Sequence, residues 1–262
     1  MIVDCHTHVG FTGDNALPSE HPAAVETVGV SIVLAPAADD SDGVNEKLSE
    51  YVGKYEKKTV GFAHVDPTKD GVGVKNLKAA TEKLGLKGVV LYCSDRDFHP
   101  AHSRAMKLYE SAQDMGLPVF FHSARNLTSG AILNYVQPLL LDEVARAFPG
   151  LKIIIGNMGV PFVEQTLSLA AKHKNVYADL TIKPTSVWQV YNTVVMAHER
   201  EVMDKLFFGS GFPFGNAGQC IETLLGFNKL LSDTNLPSVP RGSIQNIIER
   251  DTLDVLGIKK TA

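Results

Sequence analysis

Eight short apolar runs, separated by longer stretches of helical character, constrain this chain more than any other feature. They read "MIVDCHTHV", "VSIVLAPA", "TVGFAHVDP", "LKGVVLY", "LPVFFHS", "LKIIIGNMG", "VYADLT" and "LFFGSGFP". Most are near-continuous rather than alternating, the pattern of strands buried on both faces. The intervals between them carry apolar residues at helical spacing. In "GVNEKLSEYVGKYEKK", Val44, Leu48 and Val52 recur at i, i+4 and i+8. "SRAMKLYESAQDMG" has Ser103 to cap its start and Gly116 to stop it. "PLLLDEVARAFPG" ends on Pro-Gly, and "VEQTLSLAAKHK" and "QCIETLLGFNKLLS" continue the pattern. Only the interval around "EHPAAVETVG" is short.

Eight strand–helix alternations within 262 residues predict a (β/α)8 TIM-type barrel, with residues 1–262 forming one domain. A doubly wound open sheet is the competing arrangement. It favours a Gly-rich phosphate loop after the first strand, and neither G-x-G-x-x-G nor a P-loop stands there. At 44% hydrophobic and 21% charged residues, the composition is that of an ordinary globular protein. A net charge of -4 gives no reason to expect a nucleic-acid partner. No segment approaches the ~18 apolar residues of a membrane helix, and no leader pattern is visible. Cys5, Cys93 and Cys220 are widely spaced and form no C-x-x-C, which suits a reducing compartment. The expectation is a cytoplasmic protein with a small-molecule substrate and no membrane association. The sequon at Asn126 carries no meaning without secretion.

In such a barrel the working groups stand at the C-terminal ends of the strands. Strand 1 ends with His6 and His8, which period-two geometry places on one face with Asp4, leaving Cys5 and Thr7 on the other. Strand 5 ends at His122. Three imidazoles from two strand ends can converge on one cation. Nitrogen ligands suit Zn, Ni, Fe or Cu better than Mg or Ca. Three nitrogens and a water would make an open zinc site of the catalytic type. H-x-H alone is weak, because strand ends often carry polar residues; the third histidine gives the pattern its weight.

These patterns, in this order, resemble the amidohydrolase superfamily. The likeness is to its amidohydrolase-related branch of metal-dependent hydrolases and nonoxidative decarboxylases of the aminocarboxymuconate-semialdehyde and resorcylate type. "IVDCHTHVG" looks like the branch's opening strand, "LKGVVLY" its fourth and "KLYESAQDMGLPVFFHS" the helix and strand that deliver a metal-binding histidine. "FPGLKIIIGNMGVPFVEQTLSLAAKHKNVYADLT" and "KLFFGSGFPF" resemble the sixth to eighth strands. The resemblance implies a divalent metal, zinc first, on His6, His8 and His122, and a homodimer, as is common in the branch. Two positions depart from it. Asn157 in "GNMG" stands where the family reads "GHMG", and Gly211 in "GSGFP" where it reads "GSDFP" or "GSDYP". The family's histidine and aspartate handle protons there. Asparagine does not titrate near neutral pH and glycine offers only backbone.

The expected function is therefore metal-dependent hydrolysis of a small carboxylate, lactone or amide, with an atypical catalytic pair of Asp179 and Asn157. A nonoxidative decarboxylase of the same branch is one alternative, and a noncatalytic barrel with a degenerate site is the other. Asp179, late in strand 7, is the first candidate to replace the missing proton carriers, or else a hydrogen-bonded structural carboxylate. His64 at the end of strand 3, and His99 and His102 in the loop after strand 4, are candidate substrate-binding residues. Trp188 either walls the substrate pocket or packs in the core. Asp66 before Pro67 reads as a turn former, and Asp4 as a partner for an imidazole or a structural hydrogen-bonding group. Lys87 belongs at the far end of the barrel, and Cys93 has no evident activating base.

Overall fold

The computed structural model describes residues 1–10, 18–69, 73–123 and 129–259. Asn126 lies outside these residues. Among them, eight parallel strands form one sheet in sequential order: β1 Val3–His8, β2 Val30–Leu34, β3 Thr59–His64, β4 Gly88–Leu91, β5 Val119–Phe121, β6 Ile153–Ile155, β7 Val176–Thr181 and β8 Leu206–Gly209. Each falls inside one of the eight apolar runs. The sheet returns on itself just past β8. There the His8 N–H donates to the Phe212 carbonyl (2.9 Å) and the Gly211 N–H to the His6 carbonyl (2.9 Å). The architecture is a (β/α)8 barrel, and the strand order rules out the open doubly wound alternative.

Helices fill the intervals: α1 His21–Ala24, α2 Ser41–Lys54, α3 Gly73–Lys78, α4 Ser103–Asp114, α5 Leu141–Ala147, α6 Val163–Lys172, α7 Val187–Glu199, α8 Ala217–Leu225, α9 Arg241–Glu249 and α10 Thr252–Leu256. The first is a single turn, as the short interval predicts. No helix among the described residues is long and apolar enough to cross a membrane. Two local expectations are corrected. The cap of α4 is His102, whose Nδ1 accepts the Arg104 N–H at 3.2 Å, and Ser103 is already the first helical residue. The buried line of α2 is Ser41, Asn45, Leu48 and Tyr51 rather than Val44, Leu48 and Val52. Asn45 is drawn inward because its amide answers both backbone groups of His64. Its Nδ2 donates to the His64 carbonyl (2.8 Å), and its Oδ1 accepts the His64 N–H (2.9 Å). Gly116 ends α4 with φ +68, a conformation that glycine reaches without steric cost.

A bulge in β1 sets up the functional end. Asp4 pairs with Ser31 and Thr7 with Val33, so β1 carries one extra residue between these pairings. Strict alternation therefore fails at Cys5. Its thiol reaches Asp179 on β7 at 3.7 Å instead of facing outward with Thr7. Thr7 does face away, donating to the Ile32 carbonyl at 2.8 Å and touching His21 at 3.0 Å.

Candidate metal centre

The rings of His6, His8 and His122 meet at the C-terminal mouth. Their centroids lie 5.1 Å (His6–His8), 5.4 Å (His6–His122) and 5.1 Å (His8–His122) apart. One ring nitrogen from each lies within 4.8 Å of the others, and Nε2 of His6 is 3.1 Å from Nε2 of His8. Backbone geometry delivers all three. His6 and His8 end β1, and His122 follows β5, its N–H donating to the Leu91 carbonyl on β4 at 2.9 Å. Phe120 packs edge-on beneath His6, with centroids 5.1 Å apart.

Each ring is held from behind or left with an unanswered nitrogen. His6 Nδ1 meets Asp179 Oδ2 in a short contact, which leaves Nε2 to face its neighbours. His8 is hydrogen-bonded to the Leu34 backbone. Burial, with His6 beside it, pushes the His8 ring down to about 3. Burial, with His8 and His6 beside it, holds His122 well below the usual histidine range. Both rings are therefore neutral at physiological pH, the form that binds metal. His122 Nδ1 is buried with no hydrogen-bond partner among the described residues. Three clustered ring nitrogens, one pair of them in near contact, and a buried unanswered nitrogen fit a shared cation. The residues present thus suit the divalent metal that the sequence pattern implies.

Asp179 is fully buried. Oδ2 takes the His6 ring, the Thr181 hydroxyl (2.6 Å) and the Asn157 N–H (3.0 Å), while Oδ1 takes the Cys5 thiol. Burial works to raise its pKa, but the His6 ring and these donors outweigh burial and hold the carboxyl below its ordinary value. Asp179 thus reaches the centre through His6, the carboxylate–histidine arrangement that fixes a ligand's tautomer and orientation. Asn157 lines the cavity; its Nδ2 donates to the Ser123 carbonyl (2.5 Å). It and Met158 both have positive φ, 49 and 55, which turns the chain after β6 and aims the Asn157 N–H at Asp179. Asparagine tolerates that conformation better than most residues.

Two glycines of the β8 end make room for this group. A Cβ at Gly209 would lie 2.2 Å from Asp179 Oδ1. At Gly211, where φ is +65, a Cβ would lie 2.5 Å from Thr181 Cγ2. The space beside these two β8-end glycines is occupied by side chains of β7.

The cavity above the histidines measures about 140 Å³. Thr181, Ile182, Lys183, Ser210, Gly211 and Phe214 complete its wall. Sequence reasoning did not single out Thr181, Lys183 or Phe214. The period-two run Asp179, Thr181, Lys183 at the end of β7 was the available signal.

Other sequence candidates stand farther off. His64 is buried and does not line the cavity. Its ring lies edge-on against Tyr92 (5.3 Å), which in turn packs on His122 (4.6 Å). Burial, with Arg96 nearby, pushes His64 down to about 4. His99 accepts the Ala101 N–H (3.0 Å), and His102 caps α4; neither lines the cavity. Trp188 does not line the cavity above the histidines: it is 67% exposed and stacks on Tyr191. Asp4 accepts the backbone N–H groups of His6 (3.2 Å) and Ser210 (2.9 Å), tying β1 to β8 rather than holding an imidazole. Asp66 makes its turn by accepting from Thr68. Lys87 stands just before β4, at the opposite end, and Cys93 is buried, which pushes its thiol far up.

The model of the amidohydrolase family matches residues 3–237. The chain belongs to the amidohydrolase family. Comparison with curated proteins finds no match. Solved structures similar to this amidohydrolase share its fold at low identity. They include 2,6-dihydroxybenzoate decarboxylase from Rhizobium (TM-score 0.72, 13% identity, covering 98% of this chain and 98% of that one). A probable 2-pyrone-4,6-dicarboxylic acid hydrolase from Acinetobacter baumannii is another (TM-score 0.69, 14% identity, 98% and 99%). A third is a dihydroxybenzoic acid decarboxylase from Polaromonas with bound manganese and the inhibitor 2-nitroresorcinol (TM-score 0.69, 15% identity, 98% and 96%).

Proposed function

We propose that the protein is a metal-dependent hydrolase acting on a small carboxylate, lactone or amide, with zinc on His6, His8 and His122. The convergence of three imidazoles at the mouth of an amidohydrolase barrel carries this reading. A divalent cation held there supplies Lewis acidity, polarising a carbonyl and making water more acidic. Asp179 fixes the His6 ring, so Nε2 rather than Nδ1 faces the cavity. Asn157, Thr181 and Ser210 offer neutral hydrogen-bonding groups to a bound substrate. No carboxylate lines the cavity among the described residues, so a proton passing to or from substrate has Lys183 as its nearest titratable side chain besides the histidines.

Decarboxylation is the second reading, supported by the absence of a carboxylate among the described lining residues and by the decarboxylases among the similar structures. Metal analysis of protein purified without chelators tests the common core. About one equivalent per chain is expected, as for a single catalytic site, and its loss in His122→Ala. Release of acid from small lactones and amides, set against release of carbon dioxide from hydroxybenzoates, separates the two activities. Protein that takes up no metal would refute both.

A further inference from the structure

The outer wall of the barrel is thin where the interval between two strands is short. Among the described residues α1 is the shortest α-helix, a single turn. Between it and α2, outside the strands, lies a second cavity of about 180 Å³, which shares no lining residue with the one above the histidines. Its wall is aromatic. Tyr51 and Tyr55, one turn apart on α2, hold their rings 5.0 Å apart and tilted by 49°, and the His21 ring stands edge-on to Tyr51 at 5.8 Å. Pro22 and Val25 close the side of α1. A flat aromatic guest gains both buried area and ring contacts against such a wall, and a cavity on the order of 150 Å³ takes a benzene-sized ring.

The polar groups narrow the guest further. The Thr7 hydroxyl donates to the Ile32 carbonyl at 2.8 Å, so toward His21 it can only accept. His21 Nε2 therefore carries the ring proton and donates to Thr7 at 3.0 Å. Burial pushes the His21 ring down to about 4, so it is neutral at physiological pH, and its bare Nδ1 accepts the Tyr51 O–H at 2.8 Å. The Tyr51 proton is thus committed, while its oxygen keeps acceptor capacity that no described residue uses. The two charged residues of the wall, Glu26 and Lys58, are exposed and opposite in sign, so charge favours neither an anion nor a cation. We infer that this cavity binds a small neutral aromatic molecule carrying an N–H or O–H donor, its ring against Tyr51 and Tyr55 and its donor on the Tyr51 oxygen. Binding there needs no metal. The hydrogen-bond chain that the guest would join ends at Thr7, between His6 and His8.

Indole and benzofuran test this by calorimetric titration, since they share a shape and only indole has a donor. Wild type should bind indole more tightly than benzofuran by roughly 3–10-fold, the usual worth of one neutral hydrogen bond. Tyr51→Phe keeps the ring and removes the acceptor, so it should bind the two probes equally. Val25→Phe fills the cavity from the side of α1 and should abolish indole binding. Thermal melts identify the variants that fold. Nuclear Overhauser contacts from indole to the Tyr55 ring and the Val25 methyls of wild type should locate the guest, and they decide the matter even where a variant does not fold. Four results would overturn the inference: no indole binding, equal affinity of wild type for both probes, indole contacts elsewhere on the protein only, or a folded Val25→Phe or Tyr51→Phe that behaves as wild type does.

Discussion

At the residue scale, the telling group is a carboxylate that never reaches the cavity. Asp179 accepts from the His6 ring, Thr181, the Asn157 backbone and Cys5. Its effect on the centre is to hold the His6 tautomer and to place one negative charge behind that ring. Asp179→Asn keeps the volume and an oxygen acceptor but removes the negative charge and weakens the hold on the His6 ring. Zinc affinity, measured by competition with a chelator, should fall about 10–100-fold, the usual cost of removing such a partner. A second substitution follows from Gly211. An aspartate placed there would bring a carboxylate to the cavity wall, but its Cβ would meet Thr181 Cγ2 at 2.5 Å. Gly211→Asp alone should therefore lower stability by about 1–3 kcal/mol through overpacking, and disturb the Thr181–Asp179 contact. Thr181→Ser deletes the offending methyl and keeps the hydroxyl. The double variant Gly211→Asp with Thr181→Ser should bind zinc more tightly than Gly211→Asp alone, by the same chelator competition. Equal affinities would show that the Thr181 methyl does not obstruct a side chain at position 211. The three histidines were legible in the sequence because spacing and strand position suffice to find them. Gly209 and Lys183 were not, because their roles depend on which side chains of β7 and β8 come face to face.

At the scale of elements, near-continuous apolar runs located all eight strands, since a strand buried on both faces has little freedom in composition. What periodicity missed are places where a backbone demand overrides the pattern. The bulge in β1 turns Cys5 toward Asp179. Asn45 takes an inward position on α2 that an apolar residue was expected to hold, because the end of β3 leaves both backbone groups of His64 to be satisfied. Asn45→Ala strands a buried N–H and a buried carbonyl together. Urea unfolding should show a loss of about 2–4 kcal/mol, the sum of two unmet buried groups. Asn45→Leu should be no better, since the missing partners are polar. A loss under ~0.5 kcal/mol, the scale of a neutral surface change, would mean that β3 and α2 are held together by apolar packing alone.

At the scale of the whole molecule, burial of histidines makes stability depend on pH. His21 is fully buried between Tyr51 and Thr7, joined at 2.8 and 3.0 Å, and burial pushes it down to about 4. His64 is pushed down to about 4 as well, by burial and then by Arg96. In the unfolded chain both rings titrate near 6.5. Below 6.5 the unfolded state binds protons that the folded state refuses, so the folded state loses ground as pH falls. The loss runs from about 6.5 to about 4, where the folded rings begin to protonate and the curve flattens. Each ring adds at most about 1.4 kcal/mol per pH unit within that window. The stability of these two contributions is full above 6.5 and independent of pH there. Urea melts of wild type and of His21→Gln at steps from pH 7.5 to 4.5 would measure it. Glutamine can still hydrogen-bond to Tyr51 and Thr7 but does not titrate, so the variant should show a shallower slope below pH 6.5 even if it is less stable at every pH. Parallel curves would show that His21 is protonated in the folded protein and that the slope arises elsewhere.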